Sequence, residues 1–316
     1  MGLGEPVTRF LVCGRGRSGT TVVADELDRH PEIDCHIEPF IVIDPNGNER
    51  MQLATRLFDE HGVGILDLPE IRSGQGPPWV HRILPYDLYT RPGGPGTQAT
   101  TWAQYLEYLE TKGRTKADSR AVGFKSTEYE IRRRPGLLGA LERRGYRVVF
   151  LHRKNIVRTA LSKIIANQRG VSNARAYTPP DVMYHVDPAQ LLRSVAEAVV
   201  AVRKMRGSLC ELGLPLIDVA YEDFLADRLA FYRPVTQFLG VAPEGVGVSD
   251  FTRMVATELR SVISNYDQVA AALARAGLDG YLTIAPEDTP SVFDEEIRFG
   301  IGSGVIRASA TSKHAS

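Results

Sequence analysis

The residues best equipped for chemistry lie early in the chain, in the run Gly14-Arg15-Gly16-Arg17-Ser18-Gly19-Thr20-Thr21. Gly14 and Gly19, with four residues between them and hydroxyls after them, frame a loop able to wrap an anion. Glycine lets the backbone turn tightly, so several N–H groups point at one centre, and a following helix adds partial positive charge. A nucleoside triphosphatase loop of this kind needs lysine where Thr20 stands, to reach the outer phosphates. Here the cation has moved into the loop as Arg17. The strongest neighbouring strand ends in His152-Arg153 and offers no acidic magnesium holder, which disfavours magnesium-dependent γ-phosphoryl transfer. Arg153 is instead a second basic group at a strand end. Ser162 lies nine residues on along a helix, where its hydroxyl can face the same pocket. Two such holders suit a ligand with two anionic groups, such as a nucleotide carrying phosphates at both ends of its ribose.

These groups must be positioned by alternating strands and helices. Arg9 to Cys13 read as a buried strand, the glycine-rich run as a turn, and TTVVADELDRH as a helix stopped by His30-Pro31. Further strands are expected over Ala121 to Ser126, over Arg147 to Arg153 and in LPLIDVAY. Helices are expected over RPGLLGALERRG, KNIVRTALSKIIANQ, Ala189 to Gly213, FYRPVTQFLG and TELRSVISNYDQVAAALARAG. This alternation predicts an α/β, P-loop-like three-layer fold with a central parallel sheet flanked by helices. One domain spans residues 7–285. Within it, residues 41–120 break the periodicity with Pro, Gly and aromatics, read as a lid insertion that binds the acceptor, with a helix at TTWAQYLEYLE. Residues 286–316 form a partly irregular tail.

Composition narrows the function classes. In 316 residues, 38 basic side chains balance 38 acidic ones, which argues against a protein whose task is to coat nucleic acid or anionic lipid. Three cysteines, Cys13, Cys35 and Cys210, are odd in number and widely spaced, so neither a disulfide framework nor a zinc site is expected. The opening MGLGEPVTRF has no basic-then-apolar leader, and no apolar run approaches the length of a membrane span. A reducing cytoplasm is therefore the expected location. The excess of Arg over Lys points to a GC-rich bacterial genome, and secondary metabolism is the setting drawn from it.

Four stretches carry a resemblance to a known family: GRGRSGTT, VVFLHRKNIVRTALSKIIA, VAYEDFLAD followed by FLG, and SVISNYDQV. Together they span roughly Val7 to Leu282 and resemble the sulfotransferases that use 3′-phosphoadenosine-5′-phosphosulfate (PAPS). In style they are similar to the bacterial carbohydrate-modifying branch that includes nodulation-factor and trehalose sulfotransferases. The resemblance implies a sulfuryl transfer from PAPS to a hydroxyl or amine of a small-molecule, glycan or natural-product acceptor, without a metal, leaving adenosine 3′,5′-bisphosphate. It implies that Arg15, Gly16, Arg17, Ser18, Gly19, Thr20 and Thr21 hold the 5′-phosphosulfate. Arg153 and Ser162 would hold the 3′-phosphate, and Tyr221 would lie near the adenine. The spacing of nine, without the usual intervening Pro, departs from the family's eight and leaves Arg158 as a rival to Arg153.

The transfer needs a base, positive charge on the moving group and an in-line geometry. Glu38, in CHIEPF after the first helix, is similar in type and place to the base of carbohydrate sulfotransferases. His36 is the rival, since the phenol-and-steroid branch uses histidine; it reads equally as a buried structural residue. Lys125, at a strand end, is placed to polarise the bridging oxygen or hold the acceptor, or is a surface lysine. Arg17 would neutralise charge on the 5′-phosphate. Trp79, Tyr86, Tyr89, Trp102 and Tyr105 line an acceptor cleft or pack a lid helix. The run Arg132 to Arg134 reads as a solvated face. A non-sulfating nucleotide-binding or kinase-like protein is the alternative, and the oligomeric state is open.

Overall fold

The computed structural model describes residues 7–43, 49–69, 83–169, 182–251, 258–283, 289, 291, 293, 297–302 and 305–310. Its centre is a five-stranded, wholly parallel sheet in the order β2-β3-β1-β4-β5. The strands are β1 (Thr8–Gly14), β2 (Ile33–Ile37), β3 (Ala121–Thr127), β4 (Arg147–His152) and β5 (Leu216–Ala220). Parallel strands buried on both faces must be apolar along their length. Phe10, Leu11 and Val12 of β1 and Val148, Val149 and Leu151 of β4 are accordingly fully buried.

β2 is a strand that the apolar runs of the sequence do not announce. Asp34 and His36 disguise it, yet both are buried in the sheet. The Asp34 carboxylate accepts the backbone N–H of Thr115 at 2.5 Å and of Lys116 at 3.1 Å, and the His36 ring meets the Leu109 carbonyl oxygen at 3.2 Å. Burying polar groups is tolerated when such partners exist. The partners come from more than seventy residues away in sequence, so no local pattern announces the strand.

Helices cover both faces. On one side α1 (Thr20–Asp28) packs through Val23 and Leu27 in the same apolar cluster as Phe224, Phe231, Val235 and Leu239. The last four belong to α9 (Tyr221–Ala226) and α10 (Arg228–Leu239). On the other side lie α4 (Trp102–Glu110), α5 (Glu128–Arg132), α6 (Leu137–Arg143), α7 (Ile156–Arg169) and the long α8 (Pro188–Glu211). They are joined there by α11 (Tyr266–Arg275) and α12 (Gly280–Thr283). The insertion contributes α2 (Glu49–His61), a 3-10 turn over Gly62–Asp67 and α3 (Tyr86–Tyr89) besides α4. Trp79 lies outside the described residues. Near the end of the chain, β6 (Ile297–Gly302) and β7 (Val305–Ala310) form an antiparallel pair in the stretch where the sequence shows no periodicity. No helix among the described residues is long and apolar enough to cross a membrane.

The consequence for function is geometric. The C-terminal ends of β1, β2, β3, β4 and β5 open on one edge, and ligands of open α/β sheets collect there. The glycine-rich loop, Glu38, Lys125, Arg153 and Tyr221 all sit at or next to those ends.

Candidate functional site

Between β1 and α1 the chain makes a tight turn in which the Ser18 backbone N–H and hydroxyl both donate to the Arg15 carbonyl oxygen, at 3.1 and 2.6 Å. The turn then enters α1 through Gly19, whose φ of 92° lies in the left-handed region and whose side makes no capping bond. A Cβ there would stand 2.2 Å from the ring of Tyr221, so glycine is demanded twice, by conformation and by space. Gly16 is different: a Cβ would meet no atom of the described residues within 4 Å. Nothing among the described residues accounts for a glycine at that point, whereas a close-lying ligand would. Thr20 is buried at the head of α1, and Thr21 beside it is half-buried.

Arg17 and Glu38 are the two non-glycine residues with positive φ among the described residues, at 73° and 55°. Each such conformation costs on the order of 1–2 kcal/mol and persists where the surroundings over-determine it, as they do at functional sites. The arginine's Nε donates to the Ser162 Oγ at 3.1 Å, joining the loop to the middle of α7. Burial holds the Arg17 guanidinium down to about 10, with the positive charge of Arg153 the next cause and Arg169 a further one. Three arginines thus crowd one place, and an anion between them would relieve the repulsion. Arg169 carried no signal in the sequence; it is held by a hydrogen bond to the Tyr184 hydroxyl at 3.0 Å.

Arg153 follows β4 and lies 4.6 Å over the Tyr221 ring, with its Nε 3.9 Å from Glu222. The buried Glu222 carboxylate also accepts the backbone N–H groups of Lys154 and Asn155, at 2.8 and 3.2 Å, and so fixes the turn that presents Arg153. Tyr221 therefore sits between the glycine-rich turn and Arg153. Arg158, its rival, has an Nη2 that donates to the Leu282 carbonyl oxygen in α12 at 3.4 Å. Arg15 reaches across to α8, where its guanidinium meets the Glu197 carbonyl oxygen at 3.5 Å; burial lowers its proton affinity. A cleft of about 300 Å³ between α7 and α8 adjoins that contact, lined by Lys163, Asn167, Arg193 and Glu197 among others.

At the end of β2, Glu38 donates its backbone N–H to the Lys125 carbonyl oxygen at 2.9 Å, and its carboxylate pairs with the Lys125 ammonium. Lys125 is 1% exposed, not a surface lysine, so this ion pair is set in protein on nearly every side. Glu130 joins the group. Its carboxylate accepts from the Ser126 hydroxyl at 2.8 Å and the Thr127 N–H at 2.6 Å, and burial, then the charge of Glu38, push it above the usual carboxylate range. The Thr127-to-Glu130 spacing is a capping box, the one sequence signal that pointed to it. His36 lies buried with its ring 3.2 Å from the Leu109 carbonyl oxygen. Among the aromatics of the insertion, Tyr105 is fully buried, Tyr86, Tyr89 and Trp102 are half-buried, and Trp102 donates to the Pro135 carbonyl oxygen. Among the described residues, no group of three or more His, Cys, Asp or Glu could hold a metal ion.

No family model matches the sequence, and no curated protein does. Solved structures similar to this chain include a sulfotransferase from Alicyclobacillus acidocaldarius, at 17% identity and a TM-score of 0.43, covering 89% of this chain and 96% of that one. A sulfotransferase domain from the curacin biosynthetic pathway aligns at 12% identity and 0.41, over 75% of this chain and 76% of its own. A sulfotransferase from Mycobacterium avium aligns at 16% and 0.40, over 86% and 77%.

Proposed function

We propose that this protein is a PAPS-dependent sulfotransferase acting on a hydroxyl or amine of a small-molecule or carbohydrate acceptor. The observation that carries the reading is the Arg17 to Ser162 hydrogen bond, which brings the loop after β1 and the helix after β4 into one cationic pocket with Arg153. The residues fit a doubly phosphorylated nucleotide. The loop N–H groups, with Gly16 open and Arg17 beside them, suit the 5′ side, Arg153 and Ser162 suit the 3′-phosphate, and the Tyr221 ring between them suits the base.

When bound, the nucleotide would supply an activated sulfuryl group. Glu38 takes the proton of the acceptor hydroxyl as its oxygen bonds to sulfur, while the bond from sulfur to the 5′-phosphate oxygen breaks. Arg17 faces the negative charge that builds on that leaving oxygen, and Lys125 holds the Glu38 carboxylate in place. Adenosine 3′,5′-bisphosphate departs with the electron pair, and the sulfated acceptor is the second product. The polar cleft between α7 and α8 suits an acceptor rich in hydroxyls, and bacterial secondary metabolism remains the proposed setting.

Calorimetry in EDTA tests the reading directly. Adenosine 3′,5′-bisphosphate should bind without magnesium, and Glu38→Gln should keep that affinity while abolishing sulfate transfer, read as product mass with trehalose, glucosamine and 2-naphthol as trial acceptors. Magnesium-dependent binding of ATP in its place would support the kinase-like alternative.

A further inference from the structure

The left-handed backbone at Glu38 is fixed on one side by its own N–H on the Lys125 carbonyl oxygen and closed on the other by the Ile41 N–H, which donates to the Glu38 carbonyl oxygen at 3.1 Å. The three residues that follow are in turn gripped by the insertion and by Arg134. The Pro39 carbonyl oxygen accepts the Tyr86 N–H at 2.8 Å. The Tyr105 hydroxyl lies between two carbonyl oxygens, Leu84 at 2.6 Å and Pro39 at 3.2 Å, and ties one stretch to the other. Phe40 is fully buried, its ring 5.3 Å from Tyr105 and Phe124 and 6.0 Å from Trp102.

Arg134 completes the grip. Its Nε and Nη2 donate to the Phe40 carbonyl oxygen at 3.3 and 3.1 Å, and Nη2 also reaches that of Ile41 at 3.3 Å. Asp87 Oδ1 also lies 2.9 Å from Nη2, and the Tyr86 ring lies 5.7 Å from the guanidinium carbon. The side chain is only 10% exposed, so Arg134 is not part of the solvated face that Arg132 to Arg134 suggested. A planar fork of donors, which lysine lacks, is what lets one residue hold two successive carbonyls.

We infer that Arg134 is a positioning residue for Glu38: gripping the Phe40 and Ile41 carbonyls, with Tyr105 tethering Pro39, it fixes the chain direction that keeps the Glu38 carboxylate on Lys125. The inference rests on Glu38 being the base, as proposed above. It gives the buried Tyr105 a part in holding the stretch after Glu38. Without the clamp, residues 38–41 would relax toward extended backbone, and the carboxylate would leave its place.

The test compares Arg134→Met and Arg134→Lys with the parent full-length protein. Three quantities are read: bisphosphate affinity by calorimetry, deuterium uptake of a peptide covering 38–41, and PAPS turnover with the trial acceptors named above. Arg134→Met should bind the bisphosphate within threefold of the parent. Its uptake at 38–41 should rise at least tenfold in rate, and its turnover should fall at least twentyfold at an unchanged KM for PAPS. Arg134→Lys should recover part of both losses. Should Arg134→Met not fold, Tyr105→Phe, lacking one hydroxyl, serves instead, with about a fivefold loss of turnover at the same KM and faster uptake. Variant uptake and turnover equal to the parent's would overturn the clamp alone. Uptake needs no acceptor, so it decides even if none of the trial acceptors is sulfated. A parent that fails to bind the bisphosphate overturns the functional reading, and the positioning role with it.

Discussion

Replacing Arg17 by Met should make the unliganded protein more stable and the liganded one less so. Burial first, and the neighbouring charge of Arg153 second, hold the Arg17 guanidinium down to about 10. A depression of that size corresponds to about 3 kcal/mol against the charged form. Some is screened, since the side chain is half-buried, and the lost hydrogen bonds, that to Ser162 among them, remove about 1–2 kcal/mol of stabilisation. A net gain of up to about 1 kcal/mol is left for the variant, or at most roughly 2–4 °C in Tm at neutral pH. With adenosine 3′,5′-bisphosphate the order reverses. A ligand at a hundred times its Kd stabilises by about 2.7 kcal/mol, and loss of one charge-assisted bond should weaken affinity by about 1.5–3 kcal/mol, roughly tenfold to a hundredfold. Thermal unfolding with and without the bisphosphate, at low and high salt, measures both. A variant that is less stable than the parent without ligand, and equally stabilised by ligand, would refute the claim that Arg17 is strained by like charge for the sake of an anion.

The two glycines of the loop should separate. Gly16→Ala should leave the unfolding free energy within about 0.5 kcal/mol of the parent, because its Cβ meets no atom of the described residues, yet weaken bisphosphate binding at least tenfold by calorimetry. Gly19→Ala should lower stability by more than about 1 kcal/mol in urea titrations, from its left-handed φ and the clash with Tyr221. His152 gives a pH signature. Burial lowers its proton affinity to about 4, so the unfolded chain takes up a proton first as pH falls. Its contribution is complete above pH 6.5 and is lost on going from 6.5 to 4, by up to about 3 kcal/mol. Urea titrations at pH 7 and 4.5 should show a smaller difference for His152→Gln than for the parent.

The sequence alone determined the parts of this protein whose signals are local. The apolar runs of β1, β3, β4 and β5, the glycine-rich turn and the helices after β1 and β4 are legible because each burial pattern repeats within a few residues. So were Arg17, Lys125, Arg153 and Ser162, which stand at strand ends or one helix beyond them, whereas Glu38 was singled out only by its likeness in type and place. Tertiary structure decided what cannot be local. Whether IDCHI is a strand depends on partners for Asp34 and His36 supplied by residues 109 to 116. Whether Lys125 is a surface residue depends on Glu38 meeting it across two strands, and whether Arg134 is solvated depends on carbonyls more than ninety positions away. Polar side chains can be buried only where distant partners satisfy them, so their fate is settled by which strands and helices become neighbours.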